Sequence, residues 1–207
     1  PSMLYQLTEA PDKTRYDLSS LHSIIYGGSP SAAPRLKEAI QFFGRKIAQL
    51  YGQAEAPMCI TTLAKEDHCI DGPEEAIKRM NSAGKPCVNV EVKVVDEKGR
   101  EAPSGEVGEV TVRGSHTMKG YWNLSEATAE VLRNGWVHTG DMGYFDSKGF
   151  LFLVDRKRDV IISGAFNIYP KEIEDLIVIH PKVKEVAVIG VPDEKWGEAV
   201  KAVIVPK

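Results

Sequence analysis

SIIYGGSPSAAPRLKEAIQFFGRKIAQLYGQAE, residues 23–55, decides the fold. Ser23 to Tyr26 form a short apolar run that ends in Gly27-Gly28, which predicts a buried strand stopping at a turn. Leu36, Ile40 and Phe43 then recur at helical spacing from Ala33 to Phe43, with Pro34 tolerated in a first turn and Gly44 as a stop. Lys46 to Tyr51 alternates and ends in Gly52, a second strand. A strand-helix-strand crossover of this length implies parallel strands. Open parallel sheets collect ligands in the crevice beyond the carboxyl ends of their strands. Residues 27–30 and 52–55 are both such ends, so they should lie side by side, with Glu55 near a glycine loop that offers free backbone N–H groups.

Downstream the periodicity changes. VNVEVKVV (88–95) alternates, GREAPSGE (99–106) turns, and EVTVR (109–113) alternates again, predicting antiparallel strands. Ser125 is placed to cap a helix running through Leu132 and stopped near Gly135; residues 135–155 then read as strand, turn, strand. Beyond DRKRD (155–159) Pro170 fits the first turn of a helix whose Ile173, Leu176 and Ile177 form one face, with Pro181 closing it. Two strand-like runs follow, at 183–191 and 199–205. The fold class is α/β: the end of a parallel βαβ subdomain over 1–85, a mainly antiparallel β subdomain over 86–155, and from 156 to 207 a hinge and the start of a small, mobile α+β unit.

A formal net charge of -3, spread along 207 residues, provides neither the basic stripe of a nucleic-acid binder nor a polybasic patch for a membrane surface. A small molecule or another protein is the expected partner. Cys59, Cys69 and Cys87 are odd in number and lack CxxC spacing, which argues against a disulfide framework or a zinc site and for reduced thiols in a cytoplasmic setting. No stretch reaches the roughly 18 apolar residues of a membrane span. The opening PSMLYQL reads like the inside of a folded segment, so the chain is expected to be a fragment.

Single residues carry little. Gly27-Gly28 could be only a turn, Asp141 only a turn cap, and Arg156, Lys157 and Arg158 only a solvated edge. No G-x-S-x-G elbow is present, which removes a Ser-His-Asp hydrolase. Neither a G-x-x-x-x-G-K-[ST] phosphate loop nor G-x-G-x-x-G occurs. The order of the weak signals is what speaks. YGGSP (26–30), YGQAE (51–55), GEVTVRGSHTMKGYW (108–122), GWVHTGD (135–141) and DRKRDVIISGAFNIYPKEIE (155–174) resemble the successive core motifs of adenylate-forming enzymes, specifically acyl-CoA synthetases. The resemblance runs from about residue 20 to the end.

Such enzymes activate a carboxylic acid with ATP as an acyl-adenylate and pass the acyl group to coenzyme A. The resemblance implies that Glu55 coordinates the Mg2+ accompanying the ATP phosphates, as suits a hard cation. It implies that Gly27, Gly28 and Ser29 pack against adenine and that Tyr51 and Gly52 complete this pocket, the tyrosine ring stacking on the base. Asp141 matches the acid that accepts hydrogen bonds from both ribose hydroxyls, and Arg156 an arginine reaching the ribose and phosphates. Arg158 falls on a hinge position, usually aspartate or lysine, about which the small C-terminal unit rotates. Gly164 in ISGAFNIYP matches the loop lining the pantetheine channel; a plain turn before the helix is the competing reading.

The pattern is departed from at Ala54, where the family has threonine or serine to hold a phosphate; Gln53 is a neighbour that could replace the contact. The upstream glycine- and threonine-rich loop and the downstream lysine in P-x-x-x-G-K are not found, Lys201 and Lys207 lying outside that motif. The chain by itself is therefore expected to be inactive. APMCITT (56–62) is expected to border the acyl pocket of a fatty or related apolar acid. A non-catalytic nucleotide- or partner-binding fragment is the alternative from another class, and a peptide-synthetase adenylation domain or a luciferase-like enzyme those from the same superfamily. A membrane-peripheral setting of the full-length protein stays open, as does the oligomeric state.

Overall fold

The computed structural model describes residues 1–29, 31, 33–164 and 166–207, with the backbone alone at Met58. Pro30 of YGGSP and Ala165 of ISGAF lie outside the described residues. Three sheets follow one another along the chain.

The first sheet contains the predicted crossover. After helix α1 (Ser2–Glu9), strand β1 (Ile24–Gly27) leads through α2 (Ala33–Phe43) to β2 (Ile47–Gln53), and β1 pairs with β2 in parallel, Gly27 opposite Leu50. The apolar face of α2 explains why it packs here: Leu36, Ala39, Ile40 and Phe43 are buried against Tyr26, Ile47 and Met80. The sheet then departs from the sequence reading. β2 does not end in a loop at Gly52; it continues to Gln53 and turns directly into β3 (Ala56–Leu63), antiparallel, with Gln53 opposite Ala56. Ala54 and Glu55 are the hairpin turn. Helix α3 (Glu74–Arg79) and the short β4 (Lys85–Pro86) complete the sheet in the order β1-β2-β3-β4.

The second sheet is antiparallel, built from β5 (Glu91–Val95), β6 (Gly108–Arg113), α4 (Ser125–Val131), β7 (Leu132–Arg133), β8 (Trp136–Phe145) and β9 (Leu151–Arg156). Three local expectations are corrected. The first strand begins at Glu91 because Asn89 takes a left-handed φ of 63° and turns the chain. Ser125 is the first helical residue rather than the cap; Leu124 occupies the cap position, and its own side chain makes no capping hydrogen bond. The helix stops at Val131, not Leu132, because Asn134-Gly135, both at positive φ, form a tight turn that pairs Arg133 with Trp136. Ala56 and Ile60 of the first sheet pack on Val112 and Val137 of the second, while Ala83 packs with Val94, Val110 and Leu151. Tyr51 touches both clusters and so sits on the seam between the sheets.

The third sheet contains β10 (Ile161–Ser163), β11 (Phe166–Ile168), β12 (Val183–Asp193) and β13 (Gly197–Pro206) in the order β11-β10-β13-β12, with α5 (Pro170–Ile177) beside it. Pro170 sits at the helix start as the sequence predicts. Leu176 does not share the half-buried positions of Ile173 and Ile177: it is 74% exposed although only three residues from Ile173. Asp155 Oδ2 accepts the Lys171 backbone N–H at 3.0 Å, so β9 satisfies one of the open donors at the start of α5. No helix among the described residues is long and apolar enough to cross a membrane.

Candidate active site

The site grows from β8. Its buried positions alternate, placing Val137, Thr139 and Asp141 on one side. Gly140, at φ +70°, bends the strand between Thr139 and Asp141. The Thr139 hydroxyl donates to Val110 O at 2.7 Å and accepts the Asp141 N–H at 3.1 Å, so the backbone carrying Asp141 is held on both sides. Asp141 is 7% exposed. Tyr51 Oη donates to its Oδ2 at 2.5 Å, and Arg156 Nε, from the end of β9, faces its Oδ1 at 2.8 Å. Burial raises the Asp141 pKa, against the opposing effects of Tyr51 and Arg156, and the nearby charge of Glu55 adds to the rise. Burial, then the Asp141 charge, pushes the Tyr51 phenol upward as well, so it stays a donor.

Two cavities flank this group. The larger, about 500 Å³, lies beyond the ends of β1 and β2 and is lined by Gly28, Ser29, Tyr51, Gly52, Asp141 and Arg156 together with Lys171 and Val178 of the α5 segment. The smaller, about 350 Å³, is lined by Gln53, Ala54, Glu55, Tyr121, Val131, His138, Thr139 and Arg156. Arg156 lines both. The structure thus gathers Gly28, Ser29, Tyr51, Gly52, Asp141 and Arg156 at one cavity and Gln53, Ala54 and Glu55 at its neighbour.

Other predicted positions lie elsewhere. Gly27 does not line the larger cavity; a Cβ there would stand 2.4 Å from the Leu50 carbonyl oxygen, so its missing side chain admits the neighbouring strand. Of residues 56–62, Ala56, Ile60 and Thr61 are fully buried within the sheet. Gly164 closes the β10–β11 turn at φ +61°, and a Cβ would meet the Trp196 ring at 3.0 Å. Arg158 projects from a short 3-10 turn, Lys157–Asp159, with its side chain 82% exposed.

The sequence reading passed over Tyr121 as a site residue. Its hydroxyl donates to Glu55 Oε1 at 2.6 Å across 66 residues of chain, and that bond pushes the phenol up to about 12. It lies inside the quoted 108–122 motif, so its neighbourhood was visible although its partner was not. Lys171, at the start of α5, was likewise missed.

A family model described as AMP-binding enzyme matches residues 1–122, more than half of the chain, and one described as AMP-binding enzyme C-terminal domain matches residues 172–207. The chain belongs to the AMP-binding enzyme family. Among curated relatives of this chain, a medium/long-chain-fatty-acid–CoA ligase of Mycobacterium tuberculosis is 50% identical over 205 residues, covering 99% of this chain and 35% of the relative. A fatty acid–[acyl-carrier-protein] ligase of Streptomyces coeruleorubidus is 40% identical, covering 99% and 38%. Among solved structures, an amide bond synthetase from Marinactinospora thermotolerans superposes with a TM-score of 0.91 at 43% identity, covering 100% of this chain and 40% of that one. The o-succinylbenzoate CoA synthetase of Bacillus subtilis, in complex with its acyl-adenylate intermediate, gives 0.86 at 37% identity, covering 100% and 40%. The chain therefore spans well under half the length of these relatives.

Proposed function

We propose that this chain carries the nucleotide site and hinge of an ATP-dependent acyl-CoA synthetase acting on a fatty or related apolar carboxylic acid. The observation that carries the reading is Arg156, which pairs with Asp141 at one cavity and lines the next beside Glu55. In this reading the larger cavity takes adenine and ribose. Asp141, whose two oxygens are already oriented by Tyr51 and Arg156, accepts the ribose hydroxyls on its remaining lone pairs. The smaller cavity takes the phosphates.

A carboxylate oxygen attacks the α-phosphorus, the bond to the β-phosphate bridging oxygen breaks, and pyrophosphate leaves. Two anions meet in this step, and the Arg156 guanidinium offsets their repulsion. The CoA thiolate then attacks the acyl carbon and AMP departs. Among the described residues no group of three or more His, Cys, Asp or Glu side chains converges on a metal. One carboxylate, Glu55, is nevertheless the donor set that Mg2+ uses when phosphates and water fill its other positions, so the residues present fit an ion that arrives with the nucleotide. When bound, Mg2+ would neutralise phosphate charge. Arg158, exposed on its 3-10 turn, suits the pivot for the C-terminal unit, and Gly164 suits a place where the pantetheine arm passes. A cytoplasmic setting goes with the free cysteines.

The relatives named above differ in acceptor, which supports a second reading at that step alone: transfer to a carrier protein or to an amine. The full-length protein, supplied with ATP and a panel of fatty and aromatic acids, is expected to release pyrophosphate in an acid-dependent way and to form acyl-CoA. Acid-dependent pyrophosphate release without acyl-CoA would move the acceptor to the second reading. No release with any acid, together with AMP binding no weaker than that of an acyl-adenylate analogue, would favour a non-catalytic binder.

A further inference from the structure

Glu55 sits in a two-residue hairpin turn whose other member, Ala54, has no polar side chain to steady it. A long carboxylate at such a turn samples several rotamers unless something fixes it. The loop after β6 holds both the backbone and the carboxylate of Glu55. The Met118 backbone N–H donates to the Glu55 carbonyl at 2.8 Å, and Tyr121 Oη donates to Glu55 Oε1 at 2.6 Å, the length of a charge-assisted O–H···O⁻ bond. Tyr121 is itself anchored, because its backbone N–H donates to Thr128 Oγ1 at 2.9 Å and that hydroxyl donates to Leu124 O at 2.8 Å. Gly120 permits the approach: a Cβ there would stand 2.9 Å from the Thr128 methyl. Among the described residues Glu55 Oε2 takes no hydrogen bond.

We propose that Tyr121 is the positioning residue for Glu55, holding Oε1 so that Oε2 is presented to the divalent cation carried by the nucleotide phosphates. The inference rests on the adenylate-forming reading, and it assigns to Tyr121 an effect confined to the metal-bearing ligand. The ring of a Tyr121→Phe variant keeps its packing and loses only the hydroxyl.

In the full-length protein, calorimetry is carried out with AMP alone and with Mn2+ plus a non-hydrolysable ATP analogue. Y121F is expected to bind the metal-nucleotide roughly tenfold more weakly, the scale of one hydrogen bond to a charged group, and AMP as the wild type does. A Glu55→Gln background supplies the control. There, Y121F is expected to have no further effect, because the two residues act through one contact. Unchanged metal-nucleotide affinity in Y121F, an equal loss for AMP, or a further loss in the Glu55→Gln background would each overturn the inference while leaving the adenylate-forming reading intact. A wild type that binds neither ligand would overturn both.

Discussion

The Tyr51 hydroxyl lies 2.5 Å from Asp141 Oδ2, joining residues 90 apart in sequence. Tyr51 belongs to the parallel pair of the first sheet and Asp141 to the antiparallel second sheet, so this one bond ties the crevice of one to the polar centre of the other. Removing the hydroxyl leaves a buried carboxylate oxygen short of a donor. Tyr51→Phe is expected to destabilise the fold by about 1.5–3 kcal/mol, as for a lost bond to a charged group, and to weaken AMP binding. Urea unfolding and calorimetry with AMP check the two halves.

Asp141 gives a pH signature. Its folded pKa is raised above the ordinary 3.8, chiefly by burial, so the native state holds this proton more tightly than the unfolded chain does. The corresponding stability is full below 3.8 and is lost as pH rises through the raised folded value. The charge is kept at neutral pH at the expense of stability, as is common where a site needs one. Wild type and Asp141→Asn, melted across that window, are expected to show the wild type losing ground to the variant as pH increases. AMP binding by Asp141→Asn is expected to fall sharply at neutral pH. A flat stability difference would contradict the burial account.

The paired glycines separate two kinds of constraint. At Gly27 a methyl group would stand 2.4 Å from Leu50 O, a backbone atom of the adjacent parallel strand that cannot step aside. At Gly28 nothing lies within 4 Å, but φ is +83°. Gly28→Ala is expected to cost about 1–2 kcal/mol, the left-handed penalty for an L-residue. Gly27→Ala is expected to cost more, roughly 2–4 kcal/mol, since it forces β1 and β2 apart. Denaturant midpoints of the two variants, ranked, decide whether the sheet or the turn conformation is the stricter demand.

The parallel crossover was readable because its signals are local: a three-residue apolar run, a helical face at Leu36, Ile40 and Phe43, and glycines at each stop. The same locality explains the misses. That residues 56–62 lie in β3 and pair with β2 is a long-range fact that the composition of APMCITT does not carry. Leu176 was assigned to a face that the helix does not bury. Asn134-Gly135 is a hairpin signal, whereas the helix expected through Leu132 used Gly135 only as its stop and ran one residue too far. Motif order singles out Glu55, Asp141 and Arg156, which the structure brings to two adjoining cavities. It does not single out Tyr121, since its partner Glu55 is reached only when the 114–124 loop folds back over the β2–β3 turn.

The start of the C-terminal unit is tethered by a neighbour of the proposed pivot. Lys157 Nζ lies 2.9 Å from Glu109 Oε2 on β6, and His138 Nδ1 approaches the same oxygen to 3.3 Å without the alignment of a hydrogen bond. Glu109 is largely enclosed and Lys157 about half exposed, so the pair is worth roughly 1 kcal/mol, the upper end for a surface ion pair. Glu109→Gln removes the charge that holds Lys157 against β6 while keeping the side-chain volume. The 156–158 segment, whose Arg158 already projects into solvent, should then open more often. Limited trypsin digestion followed by mass spectrometry is expected to show cleavage at this segment up to about fivefold faster in Glu109→Gln than in wild type, with cleavage elsewhere unchanged. Raising the salt concentration should narrow the gap, because the exposed lysine end of the pair is screened. Equal rates in the two proteins would mean that Glu109 does not restrain the pivot and that the 3-10 turn is held by its backbone alone.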